Sequence, residues 1–89
     1  MKYEEALEKA KTPMVAKDGT ENAYEIPFEQ MESANGLVGK TLTNEKKGNV
    51  VVVSDWVGQN YVVKVGDEYY VQPVVFVLSL RQRGVLTVS

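Results

Sequence analysis

Four consecutive valines, Val50 to Val53, open the stretch that most restricts what this chain can become. The run continues through Ser54, Asp55 and Trp56 and turns at Val57-Gly58-Gln59-Asn60. It returns as Tyr61-Val62-Val63-Lys64-Val65, turns again at Gly66-Asp67-Glu68 and leaves as Tyr69-Tyr70-Val71-Gln72. β-Branched and aromatic residues bounded by Gly, Asn and Asp clusters are the strand signal, and three such runs in succession predict an antiparallel β-meander over 49–72.

Alternation then suggests the register, because opposed residues share a face and a slip of one residue inverts every side chain. A three-residue loop at Gly66-Asp67-Glu68 sets Val65 against Tyr69 and Val63 against Val71, and it keeps one face wholly apolar. A two-residue loop at Gly66-Asp67 sets Val65 against Glu68 and Lys64 against Tyr69 instead. The first is the expected arrangement. A four-residue loop at Val57 to Asn60 pairs Trp56 with Tyr61. Together these place Val50, Val52, Ser54 and Trp56 on the core side with Tyr61, Val63, Val65, Tyr69 and Val71. The opposite side carries Val51, Val53, Asp55, Val62, Lys64, Tyr70 and Gln72, which is too apolar for a face that meets only water. Some element or partner is expected to cover it.

The flanks supply candidates. Tyr3, Ala6, Leu7 and Ala10 fall at i, i+3, i+4 and i+7 within 2–11, with Glu early and Lys late, so a short amphipathic helix ending at Thr12-Pro13 is expected. Ten residues of helix are marginal alone, and the outer face of the sheet is a seat for Tyr3 and Leu7. Residues 14–17 and 23–26, joined by 18–22, read as a hairpin. A helical turn is expected over Pro27 to Ser33, a strand over Leu37 to Thr43, a loop over Asn44 to Asn49 and a closing strand over Val85 to Val88. Between Pro73 and Arg83 the signals conflict. Pro73, the late arginines and Gly84 punctuate a helix, whereas Val74-Val75-Phe76-Val77 favours a strand; a short helix or irregular turn around Val77 to Arg83 is expected.

Eighty-nine residues make one domain, here an opening region over 1–36 and a β-rich region over 37–89. A chain of this size buries roughly 60 % of its extended-chain surface, enough for a core without staples. The expected class is α+β and β-dominated: an N-terminal helix on a strongly curved antiparallel sheet or small SH3-like barrel. That resemblance to SH3 domains is architectural. The acidic, tyrosine-rich opening signature and paired tryptophans of SH3 domains are missing, so proline-peptide recognition is not carried over.

Chemistry is narrowed by what is missing. With no cysteine and no histidine, the chain has no disulfides, thiol nucleophile, Cys/His zinc site or Ser-His-Asp triad. No 18-residue apolar run exists and the first eleven residues are charged throughout, so neither a membrane span nor a signal peptide is read here, and a cytoplasmic location is the expectation. Gly36-Leu37-Val38-Gly39-Lys40-Thr41 brushes against a phosphate-binding loop. A Walker A loop needs four residues between its first Gly and Gly-Lys-Thr, and the required position is Ala34. The carboxylates of 18–22 and 66–68 are too few for a calcium cycle, and the twelve acids include no marked pair for acid/base work. No enzyme activity, cofactor or metal is expected.

The net charge of −2 divides unevenly: eight acids against four lysines over 1–36, and six basic residues against four acids over 37–89. What remains favours a non-enzymatic protein-interaction module that binds itself or another protein through Val51, Val53, Val62, Lys64 and Tyr70. Small acidic proteins of this kind are common in phage and mobile-element genomes, where they inhibit host or defence proteins. The alternative is a small-molecule or nucleotide-sequestering protein with a candidate ligand site at Asp55, Trp56, Gln59, Asn60 and Tyr61, flanking the first turn of the meander. A second alternative, single-stranded nucleic-acid binding, draws on Lys46, Lys47, Lys64, Arg81 and Arg83 among the aromatics. The acidic balance, with a pI near 5.1, weighs against it.

Overall fold

The computed structural model describes residues 1–15, 18–19 and 24–89. The chain folds as an α+β unit built on one five-stranded antiparallel sheet. The elements are α1 (Tyr3–Ala10), a 3-10 turn at Phe28–Gln30 running into α2 (Met31–Asn35), β1 (Thr41–Asn44), β2 (Val50–Val57), β3 (Asn60–Val65), β4 (Glu68–Pro73), α3 (Val74–Gln82) and β5 (Leu86–Val88). The spatial order is β4-β3-β2-β1-β5, so the sheet is open, with β4 and β5 at its edges and no closure into a barrel. Among the described residues, no helix is long and apolar enough to cross a membrane.

Two features of the meander depart from the expected register. The β3–β4 hairpin turns on two residues, with Val65 opposite Glu68, Lys64 opposite Tyr69, Val63 opposite Tyr70 and Val62 opposite Val71. Gly66, at φ +60°, supplies the positive φ that a tight two-residue turn needs at its first central position, and that turn matches the strand twist better than an open loop. The first turn is also tighter than expected. Trp56 does face Tyr61, but Val57 pairs with Asn60 and only Gly58-Gln59 lie outside the ladder.

The second departure is a bulge. Val53 pairs with Val63 and Asp55 with Val62, leaving Ser54 as an extra residue in β2. One inserted residue reverses the alternation beyond it, so Val51 and Val53 share a face with Trp56, Tyr61 and Val63, while Val52, Asp55 and Val57 share the other with Val62 and Lys64. The sequence expectation placed Asp55 and Trp56 on the faces they occupy but had residues 50–53 the other way round, because strict alternation cannot register an insertion.

The two faces bury different partners. On the inner face, Leu42, Val53, Tyr61 and Val63 pack against Ile26, Ala34 and Leu37 and against Val74, Val77 and Leu78 of α3. On the outer face α1 lies over β3 and β4, with Ala6 and Ala10 against Val62 and with Tyr3 and Leu7 beside Val57, Tyr69 and Val71. Small residues at 6 and 10 let the helix backbone approach the strands closely. The Tyr3 and Tyr69 rings meet edge to face at 5.2 Å, a favourable aromatic geometry. The helix docks on the outer side of the sheet as expected, but beside Tyr69 and Val71, which were expected on the core side and which the two-residue turn brings out in place of Tyr70 and Gln72.

Elsewhere the punctuation decides. α3 starts at Val74, earlier than expected, directly after Pro73, the last residue of β4 and one suited to the position before a first helical turn, and the amide of Val74 is taken by the Gln59 carbonyl at 3.0 Å. Val74, Val77 and Leu78 then fall at helical spacing onto the sheet. The helix ends in a Schellman motif, with Val85 N–H on the Leu80 carbonyl, Gly84 N–H on that of Arg81, and Gly84 at φ +75°. The strand expected over Leu37 to Thr43 is shorter: residues 37–39 form a turn and β1 begins at Thr41. The closing strand pairs with β1, Leu42 opposite Val88. Of the expected hairpin, residues 16, 17 and 20–23 lie outside the described residues; Met14, Val15, Glu25 and Ile26 are not in strands.

The bulge makes a measurable prediction. Val53→Ala and Val62→Ala each remove two buried methyl groups, and each should cost about 2 kcal/mol in urea unfolding. Val52→Ala, at a position 40 % exposed, should cost less than about 0.5 kcal/mol. Without the bulge the costs at 52 and 53 would be exchanged.

Candidate functional site

The five residues expected to form an associating face do not come together. Val53 and Val62 are both fully buried, on opposite faces of the sheet. Val51 is half-buried against the inner core, and Tyr70, opposite Val63, lies on the inner face near the hairpin tip with 43 % of its surface exposed. Lys64 alone stays exposed on the outer face, its ammonium 5.8 Å from the Tyr69 ring centroid. The bulge and the two-residue turn are the cause, and α1 covers much of the face that was expected to need a partner.

The residues around the first turn are engaged by the chain itself. Asn60 is fully buried, and its side-chain amide donates to the carbonyls of Ala10 at 2.9 Å and Thr12 at 3.2 Å. These are carbonyls at the end of α1 that the helix cannot satisfy internally, so Asn60 is a tertiary C-cap that pins the helix to β3. Its Oδ1, like Oε1 of Gln59, is buried without a protein partner. Tyr61 sends its hydroxyl across the inner core to the Ala34 carbonyl. Burial pushes this phenol up to about 12, against a small opposing pull from Arg81. Trp56 donates its indole N–H to the Gly58 carbonyl at 2.6 Å. Asp55 accepts hydrogen bonds from Tyr3 at 2.8 Å and from Ser54 at 2.9 Å, the latter tying down the bulge. The Asp55 carboxylate holds the Tyr3 hydroxyl above its ordinary range. Asp55, Trp56 and Asn60 are thus used in holding the bulge, the turn and α1, and Tyr61 in holding α2, whereas the buried Oε1 of Gln59 has no protein partner.

The basic residues separate. Lys46 and Lys47, in the β1–β2 loop, share a cleft with Arg83 at the end of α3. Arg81 lies in a different cleft with Gln30, Ser33, Leu78 and Gln82, and Lys64 is on the outer face. Trp56, Tyr61 and Tyr69 are turned onto the sheet or into the core, so aromatic and basic side chains do not interleave along one groove.

What the sequence reading did not anticipate is the bare half of the outer face. α1 covers β3, β4 and the Asp55–Val57 end of β2, leaving the Val50–Val52 end uncovered by it. Val50 and Val52, at 50 % and 40 % exposure, remain open beside Thr41 and Thr43 of β1, and the next strand along is β5 with Thr87. The two sheet edges also differ. Tyr69 N–H, at the β4 edge, is already bonded to the Met1 carbonyl at 2.9 Å, and Pro73 at the end of β4 has no N–H to offer. Flanking β5, Val85 turns its carbonyl toward the end of β1, where it accepts from Glu45 N–H, and Ser89 exchanges a reciprocal pair of bonds with Thr41. Alternation then points the backbone groups of Leu86 and Val88 outward. No protein-family model, curated protein or solved structure matches this chain.

Two consequences can be measured. Asn60→Ala frees the last carbonyls of α1 and should cost about 2 kcal/mol in chemical denaturation. Tyr61 is neutral in the fold with a value near 12 against an ordinary 10, so its contribution is present below pH 10 and is lost as pH rises toward 12. In urea titrations over that interval, Tyr61→Phe should lose stability less steeply than the wild type.

Proposed function

We propose that this protein is a non-enzymatic interaction module that acts by binding, and thereby inhibiting, another protein. The reading is carried by the bare half of the sheet: an outer face of Val50, Val52, Thr41, Thr43 and Thr87 adjoining an edge strand with outward backbone groups at Leu86 and Val88. An extended segment of a partner can add to such an edge through main-chain hydrogen bonds, while its side chains contact the neighbouring face. Affinity of this kind needs no catalytic group. The β4 edge, blocked by Met1 and Pro73, does not offer the same opportunity, so the association is directional. A second copy of the chain is one admissible partner, since two β5 edges pair antiparallel without a change of geometry.

The connectivity supports the SH3-like reading in one respect. A four-strand meander whose final strand returns, through a helix, to pair with the first is consistent with that architecture, although here the sheet stays open.

The test uses the whole chain. Val52→Asp places a charge on the bare face, and Val88→Pro removes an outward N–H while sparing the residues bonded to β1. Each should weaken self-association on a sizing column with light scattering, or capture of a binding protein, by about tenfold or more. Both variants should retain the wild-type far-UV circular dichroism. Undiminished association in both would exclude this half of the sheet as the binding surface.

A further inference from the structure

Beyond the sheet, one cleft gathers positive charge from two elements distant in sequence. Lys46 and Lys47 of the β1–β2 loop and Arg83 at the end of α3 line a cleft of about 370 Å³, with Asn44, Leu80 and Val85 completing it. A smaller recess of about 70 Å³ adjoins it, sharing Asn44 and Leu80 and adding Val51 and Leu86 among its walls. Positive charge thus lines one end and aliphatic surface the other. The volume is at the low end of the range for small-molecule sites, roughly 300–1,000 Å³.

The main chain that carries the two lysines is held by hydrogen bonds. Asn44 Oδ1 accepts the N–H groups of both Lys46 and Lys47 at 3.0 Å. Gly48 N–H returns to the Asn44 carbonyl at 2.7 Å, and Glu45 N–H fastens the loop to the Val85 carbonyl at 2.8 Å. A loop fixed this way pays little ordering cost when a ligand arrives. Glu45 is the carboxylate within the loop, and it is occupied by the Thr87 hydroxyl. Among the described residues, Lys46, Lys47 and Arg83 make no ion pair. The dipole at the end of α3 accounts for an arginine at 83, since cations are favoured there. It does not account for two lysines brought to it from the β1–β2 loop. Three unit charges also exceed the roughly half negative charge of a helix C-terminus.

We propose that this cleft binds a small organic phosphate, its phosphoryl oxygens between Lys46, Lys47 and Arg83 and its apolar body against Leu80 and Val85. Lysine and arginine both bind phosphate through charge-assisted hydrogen bonds, arginine in a forked geometry. The cleft containing Arg81, of about 300 Å³, has one cation and lacks this convergence. The proposal goes beyond the interaction reading and does not depend on it, because Lys46, Lys47, Leu80, Arg83 and Val85, on which it rests, are not the residues that carry that reading.

The experiment is a titration of the full-length, isotope-labelled protein followed by amide chemical shifts at low ionic strength, with ATP, inorganic pyrophosphate and adenosine as separate probes. ATP should move the amides of 44–49 and 80–85 and bind more tightly than pyrophosphate, and adenosine should bind far more weakly than either. Lys47→Gln and Arg83→Gln should each weaken ATP binding about tenfold, as expected for loss of one charge-assisted contact, while Lys64→Gln leaves it unchanged. Equal shifts around Lys2, Lys9, Lys11 and Lys64 would show general charge screening and overturn the site, as would no response to any probe. Pyrophosphate binding as tightly as ATP would overturn the role given to Leu80 and Val85, and adenosine binding as tightly as ATP would overturn the role given to the cations.

Discussion

The fold depends on one extra residue. Ser54 is unpaired in β2, and because side chains alternate with a period of two, its insertion decides which face every residue on either side of it meets. With the bulge, Val53 joins Val63 under α3 while Asp55 emerges beneath α1 to receive Tyr3. Without it, and with Asp55 and Trp56 keeping their partners in β3, Val52 and Val53 would exchange environments and Val53 would leave the inner core. The hydrogen bond from Ser54 to Asp55 makes the insertion specific, since both the extra residue and the one it displaces are then held by polar contacts.

A sheet that is apolar on both sides needs two coverings, and this chain supplies one and a half. Segments 26–37 and α3 close the inner face. α1 closes the outer face over β3 and β4, and its position is fixed at both ends: Tyr3 on Asp55 near the start, and the carbonyls of Ala10 and Thr12 on Asn60 at the finish. An eight-residue helix has little stability of its own, so these polar anchors and the contact of Ala6 and Ala10 with Val62 hold it in place. Asn60 accordingly has a structural use that a reading of turn residues as ligand contacts does not suggest.

How far the sequence could be read follows from which signals are local. The three strands of the meander, the amphipathic stripe of α1 and its docking on the outer side of the sheet were legible, because valine runs and i, i+3, i+4 spacing are local patterns, but the two-residue turn that puts Tyr69 and Val71 beneath the helix was not. The Trp56–Tyr61 pairing was legible from the turn between them. The bulge was not, since nothing about Ser54 distinguishes an unpaired residue from a paired one; with it went the assignment of Val51 and Val53. The start of α3 was obscured by β-branched residues; it follows Pro73, where the Val74 N–H donates to the Gln59 carbonyl, a contact across the fold. The cleft was equally hidden. Lys46 and Arg83 are far apart in sequence, and only the pairing of β5 with β1 brings their segments together.

The asymmetry of the sheet edges ties these observations to association. An exposed edge is a hazard that folded proteins commonly block, and β4 is blocked twice, by a main-chain bond from Tyr69 to Met1 and by the missing N–H of Pro73. The same chain leaves β5 with outward groups at Leu86 and Val88 and leaves Val50 and Val52 bare two strands away. If protection against edge pairing were the sole constraint, both edges would be expected to carry a device of this kind. The difference is one of degree in what each edge offers: β4 has lost the N–H groups of residues 69 and 73, whereas β5, three residues long, keeps those of Leu86 and Val88.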